Sequence, residues 1–464
     1  MKKNRQPILP PMLYREKTHH SAQKIPFLLL SFLFMMSFSF LNAQTECAPT
    51  DGKIWKVERS NIFWNQPSEN TYTEGNAIRA NGSNNTLSYG DIGIGPDGKL
   101  YGIAYGVPPS GYTKGAIYEI PATVLNDVAY SGTNTLRVST TFSSNDFRAN
   151  SLYVDNYYNF YYAAPTASAP VETAQKIFWK GPSTNSTQTV WADLNTLNST
   201  IKSALNITGN NTSSETNGTF PGDITILNNK LYVLWLTSSN LRSGKLYLLE
   251  FGINQSTGAW DGTFNYYFIK NAPGNQDAEP HGLTTLNGEL YMAYSQYTRN
   301  TNRVGNLFRI NFPLPATGLQ ISYTELSKSL YNEYASGLSS KHESLLNLAY
   351  PPKVSANNAV IDCSVGAYNL TTLANTSVLA RGMSYVWYKR EGTTDTQVTD
   401  PTAVGAGTYV MRVKGFKRTV TWNGTTPTYS DTDCYSVAST PVVITAENCI
   451  TCTAPPYTGG PTNP

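Results

Sequence analysis

After residue 52 the chain alternates apolar and polar positions with a period of two, in short runs separated by Gly, Asn, Asp and Pro. A period of two places successive side chains on opposite faces of a strand, so the pattern predicts an all-β protein. One motif recurs five times: a small or acidic residue opens an apolar strand, a polar turn follows, and a Leu-Tyr type of strand returns. Its copies are GDIGIGPDGKLYG (90–102), NSLYVDNYYNFYYA (150–163), GDITILNNKLYVL (222–234), HGLTTLNGELYMA (281–293) and, more loosely, SGLSSKHESLLNLA (336–349). Each reads as a hairpin, with Pro96-Asp97-Gly98 and Asn287-Gly288 as typical turns.

A second motif lies between these copies, at 53–57, 116–120, 176–180, 245–249 and 306–310. Measured at Ile54, Ile117, Ile177, Leu246 and Leu307, it steps by 63, 60, 69 and 61 residues. Two hairpin-forming motifs per unit give about four strands, the size of a propeller blade. The chain opens on the second motif and ends on the first, so 53–57 can supply outer strands to the final hairpin. That closes a ring and removes the exposed edges of an open array. The expectation is a five-bladed β-propeller over 44–350, with six blades the nearest alternative. A sandwich or jelly roll leaves the period near 60 unexplained.

Residues 351–356 read as a linker, and 357–446 as an immunoglobulin-like β-sandwich. Tyr385-Val386-Trp387-Tyr388 resembles the Trp-bearing central strand of that fold, and 405–411 (GAGTYVM) its tyrosine-corner strand. Met411 stands where the second Cys of the fold is usual. The expected disulfide is therefore Cys363–Cys434, tying the first strands to the last. Residues 447–464 form a Cys/Pro/Gly-rich tail in which Cys449-Ile450-Thr451-Cys452 lacks the second ligand pair that zinc needs.

The segments VTDPTAVGAGTY (398–409) and CYSVAS (434–439) resemble those in immunoglobulin-like modules of secreted Bacteroidota-type surface proteins. The resemblance covers 357–446 best and the propeller more weakly. It implies export and surface display. Such proteins commonly continue past a Cys-rich linker into a sorting domain for type IX secretion. This chain stops at Pro464 in TAPPYTGGPTNP, which leaves open a truncated product or a simply exported member.

The first 43 residues hold six of the 34 cations but one of the 31 acids, and 25–40 read IPFLLLSFLFMMSFSF. A basic start, an apolar core and Ala43 at the cut describe a secretory signal peptide over 1–43. What remains carries 28 basic against 30 acidic groups, so a nucleic-acid partner is not expected. No later segment is apolar enough to span a membrane. Charged residues are 14% and aromatics 12% of the chain, with 31 Tyr, a composition that suits a secreted or cell-surface protein.

Aligning the hairpins puts Asp91 and Asp223 at equivalent points, with Asn150, Glu279, His281 and Glu333 at or just before the same point elsewhere. In a propeller these positions open the innermost strands and face the central funnel. Such a ring of groups suits binding of sugar hydroxyls or a cation such as calcium, or paired carboxylates for glycoside cleavage. The competing and favoured reading is that the two aspartates hydrogen-bond neighbouring backbone N–H groups and hold blades together.

Other motifs carry little. Only His281 and His342 follow the signal segment, and they fall at different points of their hairpins. His342-Glu343 opens like a zincin helix, but Leu346 stands where the second His belongs. Gly93 to Gly98 matches a dinucleotide fingerprint by letter yet runs into a strand rather than a helix. Asp431-Thr432-Asp433 is too short for a calcium loop and reads as a solvated turn. Tyr157, Tyr158, Tyr161 and Tyr162 cluster densely, which favours packing over sugar stacking. No cofactor is expected. The expected function is non-catalytic binding or adhesion, with a glycan or extracellular protein as partner; the alternative is a carbohydrate-active or lactone-type hydrolase using the funnel carboxylates.

Overall fold

The computed structural model describes residues 44–446, apart from single residues, short stretches and the longer stretches 80–86, 105–111, 126–133, 139–150, 166–174, 181–188, 194–219 and 237–244. Thr45–Pro464 forms one compact unit that holds every described strand. The architecture is all-β, with no α-helix among the described residues.

The first sheet takes β1 (Ile54–Glu58), β2 (Asn61–Pro67), β3 (Tyr72–Glu74) and β4 (Ile78–Arg79). Next come β5 (Tyr89–Ile94), β6 (Leu100–Ala104), β7 (Ile117–Ile120) and β8 (Thr135–Val138), paired in that order. The following sheet runs β9 (Tyr153–Val154), β10 (Phe160–Pro165), β11 (Gln175–Lys180), β12 (Thr189–Asp193). Then come β13 (Phe220–Leu227), β14 (Lys230–Leu236), β15 (Lys245–Ile253), β16 (Trp260–Asn271). The next four are β17 (Gln276–Leu286), β18 (Glu289–Thr298), β19 (Val304–Ile310), β20 (Tyr323–Tyr331). The strand β21 (Gly337–Ser340) does not start a new sheet; it pairs with β1.

The first four hairpins form as the sequence predicts. Their turns need left-handed backbone, supplied by Gly98, Tyr158, Asn228-Asn229 and Asn287-Gly288, all with φ between 50° and 82°. The second-motif strands β7, β11, β15 and β19 each take the third place in a four-stranded sheet. The fifth copy departs from expectation. It yields one strand, β21, followed by turns and a short 3-10 helix, Leu346–Leu348, instead of a returning strand. Segment β1 is therefore drawn one place inward, to the second position, with Ile54 opposite Ser340 and Val57 opposite Gly337. Residues 342–349 are all buried, filling the middle where five sheet ends meet, and β1 takes the β21 edge that a returning strand would have used. Contacts run from β21 to β5, β5 to β9, β10 to β13, β13 to β17 and β17 back to β21.

Apolar faces of neighbouring sheets supply the core. One cluster joins Tyr153, Tyr161, Trp191, Trp235 and Phe251; another joins Tyr101, Tyr158, Phe160 and Val154. The dense tyrosine run is thus largely packing, since Tyr158, Tyr161 and Tyr162 are buried.

The last sheet holds β22 (Asn358–Ile361), β23 (Ser384–Glu391), β24 (Thr394–Gln397), β25 (Gly407–Asn423), β26 (Thr426–Tyr435) and β27 (Val442–Ala446). Its order is β22-β27-β25-β23-β24, with β26 on β25. Trp387 is buried opposite Met411, and the Tyr409 hydroxyl donates to the Gly405 carbonyl at 2.8 Å. Asp431 and Asp433 lie within β26, not in a turn, and Asp431 accepts both forks of Arg418 at 2.7 Å.

The long β25–β26 arm reaches the other sheets. Val420 N donates to Asp97 Oδ2 at 3.1 Å, and Val420 joins the core around Tyr101. Arg381 and Arg418 both lie over the Tyr157 ring, at 3.6 and 5.3 Å. Leu345, Leu348 and Ala349 share a cluster with Val413 and Cys434.

The disulfide differs from expectation: Cys434 pairs with Cys47, and Cys363 lies outside the described residues. The start of the chain runs beside the end of β26, where Cys47 N donates to the Tyr435 carbonyl at 2.9 Å and Tyr435 N to that of Thr45 at 3.0 Å. Arg412 holds Glu46 at 2.7 Å. That lane brings the two Cα atoms to 5.4 Å, within bonding range. Cys434→Ser should lower the unfolding free energy by about 2–4 kcal/mol. Urea unfolding with and without reductant checks this, because the variant should lose its sensitivity to reductant.

Candidate functional site

Asp91, Asp223 and His281, the last one place before the aligned point, each sit at a register shift of the innermost strand: at Tyr89/Asp91, Pro221/Ile224 and Pro280/Gly282. A bulge re-aims the side chain at that point. Glu279 and His281 lie on β17, and their side chains are outside the described set, as are Asn150 and Glu333 altogether.

The structure brings Asp91 and Asp223 together at the centre, both fully buried. Asp91 accepts from Ile92 N at 2.7 Å and, across to the next sheet, from Leu152 N at 2.6 Å. Asp223 accepts from Ile224 N at 2.6 Å, from Leu283 N at 2.7 Å and from Leu338 N at 3.2 Å. Each aspartate therefore binds its own strand to neighbouring sheets. Close approach is needed for this, and a Cβ on Gly337 would overlap Asp91 Oδ1. Burial and the mutual repulsion of the two carboxylates hold Asp91 well above the usual carboxylate range. Burial raises Asp223 as well, and the side-chain hydrogen bond between them fits a pair sharing a proton.

A third acid joins them that the sequence reading did not select. Glu343, in the segment after β21, is buried and accepts from Thr225 Oγ1 at 2.8 Å and from Ser339 Oγ at 2.5 Å. The Glu343 backbone carbonyl accepts from the Tyr153 hydroxyl at 2.9 Å. Ser339 in turn accepts from Ile94 N at 3.2 Å. Glu343 is thus tied, directly or through Ser339, to four of the five sheets that meet at the centre. Burial first, and the Asp223 charge second, push its carboxyl up to about 8. A signal was present in the repeat alignment: Thr225, Thr284 and Ser339 stand two residues after Asp223, Gly282 and Gly337, a ring of hydroxyls with no stated partner.

His342 is separate from this cluster. Its Nδ1 accepts from Asn287 N at 3.3 Å and its Nε2 faces the Asp51 carbonyl at 3.3 Å, and burial lowers its pKa. Among the described residues no three His, Cys, Asp or Glu side chains are arranged to hold a metal ion. No described helix is long and apolar enough to cross a membrane.

No family model matches the chain, and no curated protein matches it. Among solved structures, Drosophila Semaphorin 1b, extracellular domains 1-2, matches over 86% of this chain and 81% of that one, at 7% identity and a TM-score of 0.27. At that score the match carries no argument.

Proposed function

We propose that the chain is an exported, extracellular, non-catalytic binding protein. In this reading a five-bladed β-propeller is locked to an immunoglobulin-like module, and the pair presents a glycan or protein-binding surface, displayed on the cell by type IX secretion or simply released. The observation that carries it is how the central acids are used. Asp91, Asp223 and Glu343 are fully buried and saturated by donors from surrounding sheets, as befits an axle rather than a site open to substrate. A glycosidase needs two acids reachable by a sugar, one of them free to ionise, which argues against the hydrolase alternative. The Cys47–Cys434 bond and the β25–β26 arm favour a rigid presenting body. An apolar segment at 25–40 and a disulfide both suit an oxidising compartment outside the cell.

The test applies the exported chain, residues 44–464, to a glycan array and to intact cells, with aryl glycosides and lactones offered as substrates alongside. Saturable binding without turnover is expected. Turnover that disappears in Asp91→Asn would overturn the reading, and so would the absence of binding on both surfaces.

A further inference from the structure

We infer that the cleft where the β13–β14 and β17–β18 turns meet the six-stranded sheet is a binding site for one pyranose ring, the terminal sugar of a glycan. This deepens the binding reading above and rests on it. The cleft has a volume of about 170 Å³. A cavity of about 150 Å³ accepts a benzene ring, whereas sites for drug-sized molecules start near roughly 300 Å³. One six-membered ring fits, and an oligosaccharide must leave its remaining units outside.

The walls decide which kind of ring. Tyr350 and Tyr385 supply aromatic surface and Leu379 aliphatic surface, suited to the C–H face of a sugar. Polar groups are set among them by a directed chain of hydrogen bonds. Ala380 N donates to Asn347 Oδ1 at 2.9 Å, Asn347 Nδ2 donates to the Tyr350 hydroxyl at 3.1 Å, and that hydroxyl donates to Asn228 Oδ1 at 3.3 Å. The chain fixes the Asn228 amide with its nitrogen as a donor that has no acceptor among the described residues. An all-apolar ring would leave that donor unanswered, whereas a hydroxyl or a carboxylate answers it, and Lys353 is among the residues that line the cleft.

The site is also built in advance. Asn228 and Asn287-Gly288 hold left-handed turn backbone, and Gly288 lies so close under Tyr350 that a Cβ there would stand 2.8 Å from its ring. The lining comes from two hairpin turns, from Asn347 and Tyr350 in the segment after β21, and from Tyr385 and Val413 of the six-stranded sheet, so the cleft exists only when these are assembled. Lys353 favours an acidic sugar over its neutral counterpart.

Saturation-transfer NMR on the exported chain, with the methyl glycosides of glucose, galactose, mannose, N-acetylglucosamine and glucuronic acid as probes, tests this. Transfer to at least one ring is expected, with the glucuronide strongest. Two variants locate it. Leu379→Trp fills the cleft, and Asn228→Gly removes the amide at a φ that glycine adopts freely. Each should weaken binding at least tenfold without moving the unfolding temperature by more than about 2 °C in Asn228→Gly. No transfer to any probe, or transfer that both variants leave intact, overturns the site. Array binding that survives Leu379→Trp would overturn the cleft while sparing the binding reading; silence on the array and in the NMR together would remove both.

Discussion

Asp223→Ala should cost about 3–6 kcal/mol of unfolding free energy, because it strands three buried backbone N–H groups at about 1–3 kcal/mol each while relieving some repulsion with Asp91 and Glu343. The three donors come from β13, β17 and β21, so the loss falls on the contacts that join the first and last parts of the ring. Urea unfolding gives the total. Hydrogen exchange gives the place: the amides of Leu283 and Leu338 should lose protection before those of the outer strands. Asp223→Asn, which keeps one acceptor oxygen, should fall between wild type and the alanine variant. A loss under about 1 kcal/mol for Asp223→Ala would show that the aspartate is not a structural tie. It would return the central acids to candidacy as ligand-binding or catalytic groups.

Unfolding free energy should decline as pH rises from about 4.5 to about 8, the window set by Glu343. Its folded carboxyl titrates near 8 and the unfolded one in the ordinary range, so between these values the native state holds more protons than the unfolded chain. Stability from this group is complete below the unfolded pKa and lost as pH climbs through the folded one. Asp91, Asp223 and Asp155, all raised by burial, act in the same direction. His342 opposes them: its lowered pKa means that acidification below the ordinary histidine value favours the unfolded chain. Glu343→Gln isolates the glutamate, since it keeps the shape and cannot ionise. Relative to wild type, the variant should gain on the order of 3–5 kcal/mol between pH 4.5 and 8.5. Thermal unfolding of both proteins across that range is the measurement, and parallel curves would refute the assignment of Glu343 as a buried, protonated hub.

Much of this was legible in the sequence for a simple reason: strand alternation, Asn-Gly type turns and repeated motifs are local signals, and each states its own geometry. The four hairpins from 90–102 to 281–293, the third-place strands β7, β11, β15 and β19, and the equivalence of Asp91 and Asp223 all follow from them. The anchoring of the two aspartates on neighbouring backbone was anticipated from the same alignment, because a buried carboxylate next to strand N–H groups has few other uses.

Tertiary structure alone decided the rest. The final copy looked like a hairpin, yet residues 342–349 fold into the centre, because five converging sheet ends leave a space that must be filled and β1 occupies the edge of β21. Glu343 became the hub only through that move, and its partner Thr225 is 118 residues away. Cysteine pairing followed proximity in space: Cys47 lies 387 residues from Cys434 and beside it in the fold. The cleft under Tyr350 draws on turns and sheets that share no local pattern. Periodicity fixes what each strand is, and packing fixes which distant groups meet.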